Sequence, residues 1–189
     1  IRIMSFPVAP EGVNPKAFKL ERAWRNAGAR VIMVLDDDAI LCPESLKQLL
    51  HEVSDGVLVT ALPYYADNRR FYSALLAQFV NDNAAQTYLP LLPYMAPLTL
   101  NGMCYAITPD TLEKVDGFSQ IQRHLADDLA LAALMNQNQI RLYQSTALVK
   151  VQTVLSGGKK YIQQMHRWFF FAVLLMREKS LKINLVIFI

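Results

Sequence analysis

The run Val31-Ile32-Met33-Val34-Leu35, followed at once by Asp36-Asp37-Asp38, constrains this chain more than any other segment. An apolar stretch of that length, rich in β-branched residues, reads as a strand buried on both faces. Three acids at its carboxyl end are too costly to bury unpaired. In an open α/β sheet the carboxyl ends of the strands are where ligands bind. The triplet therefore points to a hard cation and, through it, to a phosphate-bearing ligand. The competing reading is an Asx-type turn that caps the next helix, although three acids exceed what a turn needs.

The surrounding pattern alternates strands and helices. Ile1 to Met4 reads as a strand, Phe18 to Gly28 as a helix and Leu46 to Val53 as a short amphipathic helix opened by Pro43. A buried strand follows at Val57 to Ala61, ended by Leu62-Pro63, and Arg69 to Val80 keeps a helical period. Tyr88 to Leu100 is oily but carries Pro90, Pro93 and Pro97, so it predicts a long irregular loop. Next come a strand at Gly102 to Ile107, a short helix at Pro109 to Val115, an apolar helix at Leu125 to Met135 and a strand region at Arg141 to Thr153. Ser156-Gly157-Gly158 then breaks the chain before a long final helix. This alternation predicts an α/β sandwich with a mostly parallel central sheet. The chain opens on a strand-like run and stops inside the apolar run Ile183 to Ile189, so it reads as a fragment cut at both ends.

A length of 189 residues gives room for one domain with a sizeable core. A net charge of +3 is too small to argue for nucleic acid, and with 53% apolar residues it fits a membrane surface better. Cys42 and Cys104 form no motif and read as buried free thiols. Trp168 to Met176 is apolar all round but short of the roughly twenty residues that span a bilayer. Arg177, Lys179 and Lys182 follow, which suits an interfacial helix leading into a transmembrane span; the alternative is a buried core helix.

Three constellations can carry chemistry. In Asp36-Asp37-Asp38, a D-x-D pair puts two carboxylates within reach of one Mg2+ or Mn2+ shared with a diphosphate. Asp38 reads as the better metal ligand, and Asp36 as the residue nearer the nucleotide. Asp127-Asp128 opens a helix, where acids suit the helix dipole. Their flanks, Leu125-Ala126 and Leu129-Ala130, are apolar, and a carboxylate in an apolar pocket has its pKa raised towards a general base's range. Asp128 is the candidate base and Asp127 the candidate contact to a substrate hydroxyl. Gln164, Arg167 and Trp168 share a helix face that can hold a diphosphate and close a sugar pocket, or simply form an amphipathic surface with a snorkelling arginine. His51, His124 and His166 show no metal spacing; His51 reads as a surface residue, and His124 as a structural histidine or a substrate contact.

The order of these motifs resembles the inverting membrane glycosyltransferases of the GT-A fold. More closely, it resembles the ceramide glucosyltransferase family, including bacterial members that act on hopanoid lipids. Gly12-Val13-Asn14-Pro15-Lys16, Leu62-Pro63-Tyr64, Asn101-Gly102-Met103-Cys104, Leu125-Ala126-Asp127-Asp128 and Gln164-Met165-His166-Arg167-Trp168 carry the resemblance over about residues 11–176. It implies a UDP-sugar donor, a divalent metal (Mn2+ or Mg2+) and a lipid acceptor at a membrane, with the catalytic domain facing the cytoplasm, in a bacterial inner membrane. By its motifs Asp36 and Asp38 hold metal and nucleotide-sugar, Asp128 is the base, Lys16 matches a lysine of the loop before the metal motif, and Gln164, Arg167 and Trp168 form the closing motif. The family's earlier aspartate, which contacts uracil and ribose, has no counterpart here.

The resemblance thus implies a GT-A-like sandwich truncated at its N-terminus, with a catalytic domain over 1–165 and a membrane-interface helix over 166–189. The apolar loop from Tyr88 and the helix from Trp168 would guide the lipid. Three rivals remain at this stage: a processive polysaccharide synthase, which shares the motifs; a nucleotide-binding module without catalysis; and a purely structural membrane-associated domain, which explains neither the acidic triplet nor the Gln164–Trp168 face. Weak or no UDP binding is expected of the isolated fragment.

Overall fold

The computed structural model describes residues 3–66, 70–85 and 89–187, and they divide into two compact units. The first unit comprises residues 1–63 and 96–149, and the second comprises 64–95 and 150–189.

In the first unit, helix α1 (Pro15–Arg25) starts three residues earlier than its apolar period suggests. The reason is a strong start signal. Asn14 accepts the backbone N–H groups of Lys16 and Ala17 at 2.9 and 3.1 Å, and Pro15 occupies the first helical position, where no N–H is needed. The helix ends at Arg25, not at Gly28. Strand β1 (Ile32–Leu35) leads into the acidic turn, and the short β2 (Ala39–Leu41), which the sequence did not suggest, follows it. Helix α2 (Pro43–Glu52), β3 (Val57–Tyr65), β4 (Cys104–Ile107), α4 (Pro109–Glu113), α5 (Asp127–Gln137) and β5 (Arg141–Val151) complete the α/β pattern; α3 (Phe71–Asn83), which follows β3 in the chain, belongs to the second unit.

The five strands form one central sheet in the order β1-β4-β3-β5-β2. β4 runs antiparallel to both of its neighbours, with Leu35 opposite Cys104 and Thr60 opposite Tyr105. The expected mostly parallel sheet is corrected here at two pairings. A parallel return would bring the chain back to the opposite end of the sheet. Instead the segment after β3 re-enters from the end where β1 stops, and the Asp36 N–H donates to the Met103 carbonyl at 2.9 Å. β1 ends the strand order and is an edge strand, and it is not buried throughout: Val34 is buried but Leu35 is 42% exposed.

Alternation along β4 divides the core in two. Tyr105 and Ile107 pack with Leu58, Phe118, Leu131 and Met135 on the face covered by α1, α4 and α5. Cys104 packs with Val59, Ala61, Val149 and Leu49 on the face covered by α2. The result is an α/β sandwich. Each large side chain fully buried here contributes about 1.5–3 kcal/mol by leaving water.

Other expectations shift in detail. Ile3 and Met4 form no strand, and Ile3 is 90% exposed; Ile1 lies outside the described residues. β3 does not stop at Pro63 but continues to Tyr65, whose N–H and carbonyl bond to the Asn81 side chain, each at 3.0 Å. The predicted helix from Arg69 begins at Phe71, and Arg69 itself lies outside the described residues. The proline-rich stretch is irregular apart from one 3-10 turn at Leu89–Leu91; Tyr88 lies outside the described residues. Cys104 is buried as expected, whereas Cys42 is exposed, where its sulfur caps α2.

In the second unit, α6 (Gly158–Glu178) packs on α3, and α7 (Leu181–Ile187) follows. Tyr72 meets Tyr161 at 6.1 Å between ring centroids, and Phe79 stacks on Trp168 at 6.2 Å. Gly158 lies so close to Tyr72 that a Cβ there would sit 2.8 Å from its hydroxyl oxygen. The apolar run from Trp168 is thus part of a longer amphipathic helix. No helix among the described residues is long and apolar enough to cross a membrane.

Candidate active site

Lys16, in the first turn of α1, gathers the acids. Its Nζ donates to Asp36 Oδ1 at 2.7 Å and to the Gly102 carbonyl at 2.8 Å, and lies 3.8 Å from Asp127 Oδ2. One ammonium therefore ties together the end of β1, the approach to β4 and the start of α5. The Asn14 cap fixes where this lysine starts. Asn14 also reaches the approach to α5: its N–H donates to the Gln122 carbonyl at 2.7 Å and its Nδ2 to the His124 carbonyl at 3.1 Å. His124 takes part through its backbone, and its side chain is exposed.

Asp128 follows Asp127 on α5. Its Oδ1 accepts the N–H of Leu129 at 2.8 Å, and its Cβ packs on Gly102, where an added Cβ would come within 3.2 Å. Burial pushes its carboxyl above the usual range, and the Asp127 charge adds to this; the Leu129 N–H and Lys16 oppose it. Asp36 is also raised, first by burial and then by the charges of Asp38 and Asp127, against the pull of Lys16. The buried Tyr105 phenol is raised well above its usual value by burial and then by the charges of Asp127, Asp36 and Asp128. Cys104 is pushed up to about 11 by burial and by Asp36.

The structure thus brings Lys16, Asp36, Asp127 and Asp128 together, with Asp38 acting electrostatically on Asp36. One lysine among these carboxylates leaves excess negative charge, which fits a divalent cation. Among the described residues no group of three His, Cys, Asp or Glu side chains forms a closed cage. Two carboxylates, Asp36 and Asp38, suit an ion that shares its shell with water and phosphate rather than one enclosed by protein.

Gln164, Arg167 and Trp168 belong to the second unit. Arg167 Nη2 donates to Gln164 Oε1 at 3.0 Å, so the two side chains pair within α6. Trp168 is used in packing against Phe79.

Sequence reasoning missed the roles of Asn14 and Gly102. Asn-Pro before a helix is a start signal, and it places Lys16. Gly102 shows its role only through the Asp128 contact, which no local pattern encodes. Thr60 pins this approach too: Asn101 N–H donates to Thr60 Oγ1 at 2.9 Å.

The chain is similar to a crystal structure of glucosyl-3-phosphoglycerate synthase from Mycobacterium tuberculosis in complex with Mn2+ and UDP-glucose, at a TM-score of 0.46 and 19% identity. That match covers 91% of this chain and 56% of the other. It is also similar to ceramide glucosyltransferase 1 of Caenorhabditis elegans, 21% identical over 168 residues. That alignment takes in 86% of this chain but 35% of the relative, so the chain spans about a third of the curated relative's length. The sequence profile of glycosyl transferase family 21 matches residues 3–184, nearly end to end, and the chain belongs to that family.

Proposed function

We propose that this chain is the catalytic part of an inverting glycosyltransferase that moves a sugar from a UDP-sugar to a lipid hydroxyl. The observation that carries the reading is the convergence of Lys16, Asp36 and Asp127 around one ammonium, with Asp128 beside them at Gly102. Family membership supports the reaction class. The name of the nematode relative, a ceramide glucosyltransferase, supports a ceramide- or hopanoid-like acceptor at a membrane.

Asp36 and Asp38 would hold Mn2+ or Mg2+. When bound, that ion offsets the charge of the donor's diphosphate. Lys16 orients Asp36 and favours its ionised form, against the upward push of burial. Asp128 takes the proton of the acceptor hydroxyl as the hydroxyl oxygen bonds to the anomeric carbon. The bond from that carbon to the diphosphate oxygen breaks on the opposite face, UDP departs, and configuration inverts. A carboxyl raised by burial accepts a proton more readily than an exposed one, which suits a base. Asp127, held within reach of Lys16, is placed to meet a sugar or acceptor hydroxyl. Gln164, Arg167 and Trp168 enter this reading through the resemblance of their spacing to a closing motif, with Arg167 as the proposed cation for the leaving diphosphate.

The test is Asp128→Asn in the full-length protein. Transfer should be abolished while UDP-sugar binding, measured by calorimetry with Mn2+, is retained. Substantial remaining turnover would remove Asp128 as the base.

A further inference from the structure

At the end of the central sheet far from the acids there is a cavity of about 200 Å3 lined by Glu52, Ser54, Val57, Arg141 and Tyr143. The strand register sets it apart from the candidate active site. The acids follow Leu35, which stands opposite Cys104, whereas Val57 lies beyond the Val59–Ala106 pair, towards the other end of β4. The Arg141 N–H donates to the Gly56 carbonyl at 2.9 Å, which brings the start of β5 to the start of β3. All five lining residues belong to the first unit.

Glu52, the last residue of α2, is the informative member. Its Oε1 accepts Gln48 Nε2 at 2.9 Å, and the same nitrogen donates to Thr146 Oγ1 on β5 at 2.9 Å. The carboxylate is therefore oriented by a fixed amide. Its Oε2 is buried and has no hydrogen-bond partner among the described residues. A buried acceptor left unmatched is costly, more so when it is charged, and calls for a partner. Arg141 lines the same cavity but does not supply one, since the ion pairs among the described residues involve neither Glu52 nor Arg141. The Arg141 guanidinium lies instead over the Tyr143 ring, 5.3 Å from its centroid. One cavity thus holds an acid and a cation apart.

Those two groups specify what complements them. A carboxylate oxygen is best met by a charged N–H donor, and a guanidinium fork matches a carboxylate. A ligand with a single charge satisfies only one of the two. Val57 and Tyr143 offer an apolar wall for a short carbon skeleton. At roughly 30 Å3 for each water-sized group, the cavity has room for about six or seven heavy atoms.

We propose that this cavity binds a small zwitterion of the α-amino acid class, its ammonium on Glu52 Oε2 and its carboxylate on Arg141. The site is separate from the transferase reading and does not rest on it.

The experiment is an NMR titration of the 15N-labelled 189-residue chain with L-alanine and with L-serine. The expected result is saturable shifts of the amides of residues 52–57 and 141–143. Glu52→Gln and Arg141→Met should each weaken binding by about tenfold or more. Arg141 is exposed, so its variant reads the proposal alone should Glu52→Gln fail to fold. Acetate and methylammonium, which carry the two charges singly, should each bind at least about tenfold more weakly than the amino acids. Absence of saturable shifts with both amino acids overturns the proposal. So does unchanged affinity in the Arg141 variant, or acetate binding as tightly as L-serine. A double-mutant cycle that couples Glu52 to Arg141 without ligand also overturns it, because the two would then satisfy each other. No sugar transfer is read, so failure here leaves the transferase reading intact, and the reverse.

Discussion

Lys16 Nζ sits 2.7 Å from Asp36 Oδ1, twenty positions along the chain, while the same nitrogen holds the Gly102 carbonyl at 2.8 Å. Both side chains are about two-thirds buried. In that setting the ammonium offsets much of the cost of keeping Asp36 charged, which burial raises. Lys16→Met is expected to lower stability near neutral pH by about 1–3 kcal/mol, since it strands a partly buried carboxylate and a carbonyl. Without its partner the folded Asp36 carboxyl rises further, so the cost should shrink as the pH falls and Asp36 takes up its proton. Urea unfolding of both chains at acid and neutral pH measures this.

Asp128 gives a stability dependence of defined sign. Its folded carboxyl titrates above the ordinary 3.8. Between 3.8 and the raised value the folded state holds the proton more often than the unfolded chain does. Stability therefore falls as pH rises through that window and stays reduced above it. Asp128→Asn keeps the Oδ1 that accepts the Leu129 N–H and carries no charge. The variant should lose the Asp128 contribution to this slope and be at least as stable as the parent at neutral pH. Paired urea midpoints across the window are the measurement.

Gly102→Ala tests the approach of the β4 segment to α5. The new methyl would stand 3.2 Å from the Asp128 Cβ, tighter than ordinary contact, so Asp128 must move by a few tenths of an ångström. Transfer in the full-length protein should fall by about tenfold or more, because small misplacements of a reacting group cost rate steeply. UDP-sugar affinity should change little, which separates displacement of the proposed base from loss of the proposed donor site.

Gly117→Ala tests the buried Glu21 cluster on the far end of α1. Glu21 Oε2 accepts Trp24 Nε1 at 2.9 Å and the Phe118 N–H at 2.7 Å. Gly117 has φ +65°, and a methyl there would fall 2.3 Å from Trp24 Nε1 and 2.5 Å from Glu21 Oε2. The loss should be about 3 kcal/mol, from strain at positive φ together with the broken hydrogen bonds. Thermal unfolding reads it directly.

The residues that meet at the site were legible because each sits next to a strong local signal. The acidic triplet ends an apolar strand, Asp127-Asp128 opens an apolar helix, and Lys16 follows Asn-Pro. What local signals do not contain is direction and partnership. The antiparallel course of β4 depends on which end of the sheet the chain re-enters, which is a property of the whole path. β1 looked fully buried because its composition is that of a central strand, yet it stands at an edge. Pro63 looked like a terminator, but β3 runs on until Asn81 takes the backbone groups of Tyr65.

The register Leu35 opposite Cys104 joins positions about seventy residues apart in sequence. Bringing them together closes a long loop before any contact rewards it, so this pairing belongs to the slow part of folding. The carboxylates flank that pairing, and a half-folded chain scatters them. On the proposed reading, cation binding at the acids therefore reports the fraction of chains in which the two strands have met, and a misregistered chain lacks the site.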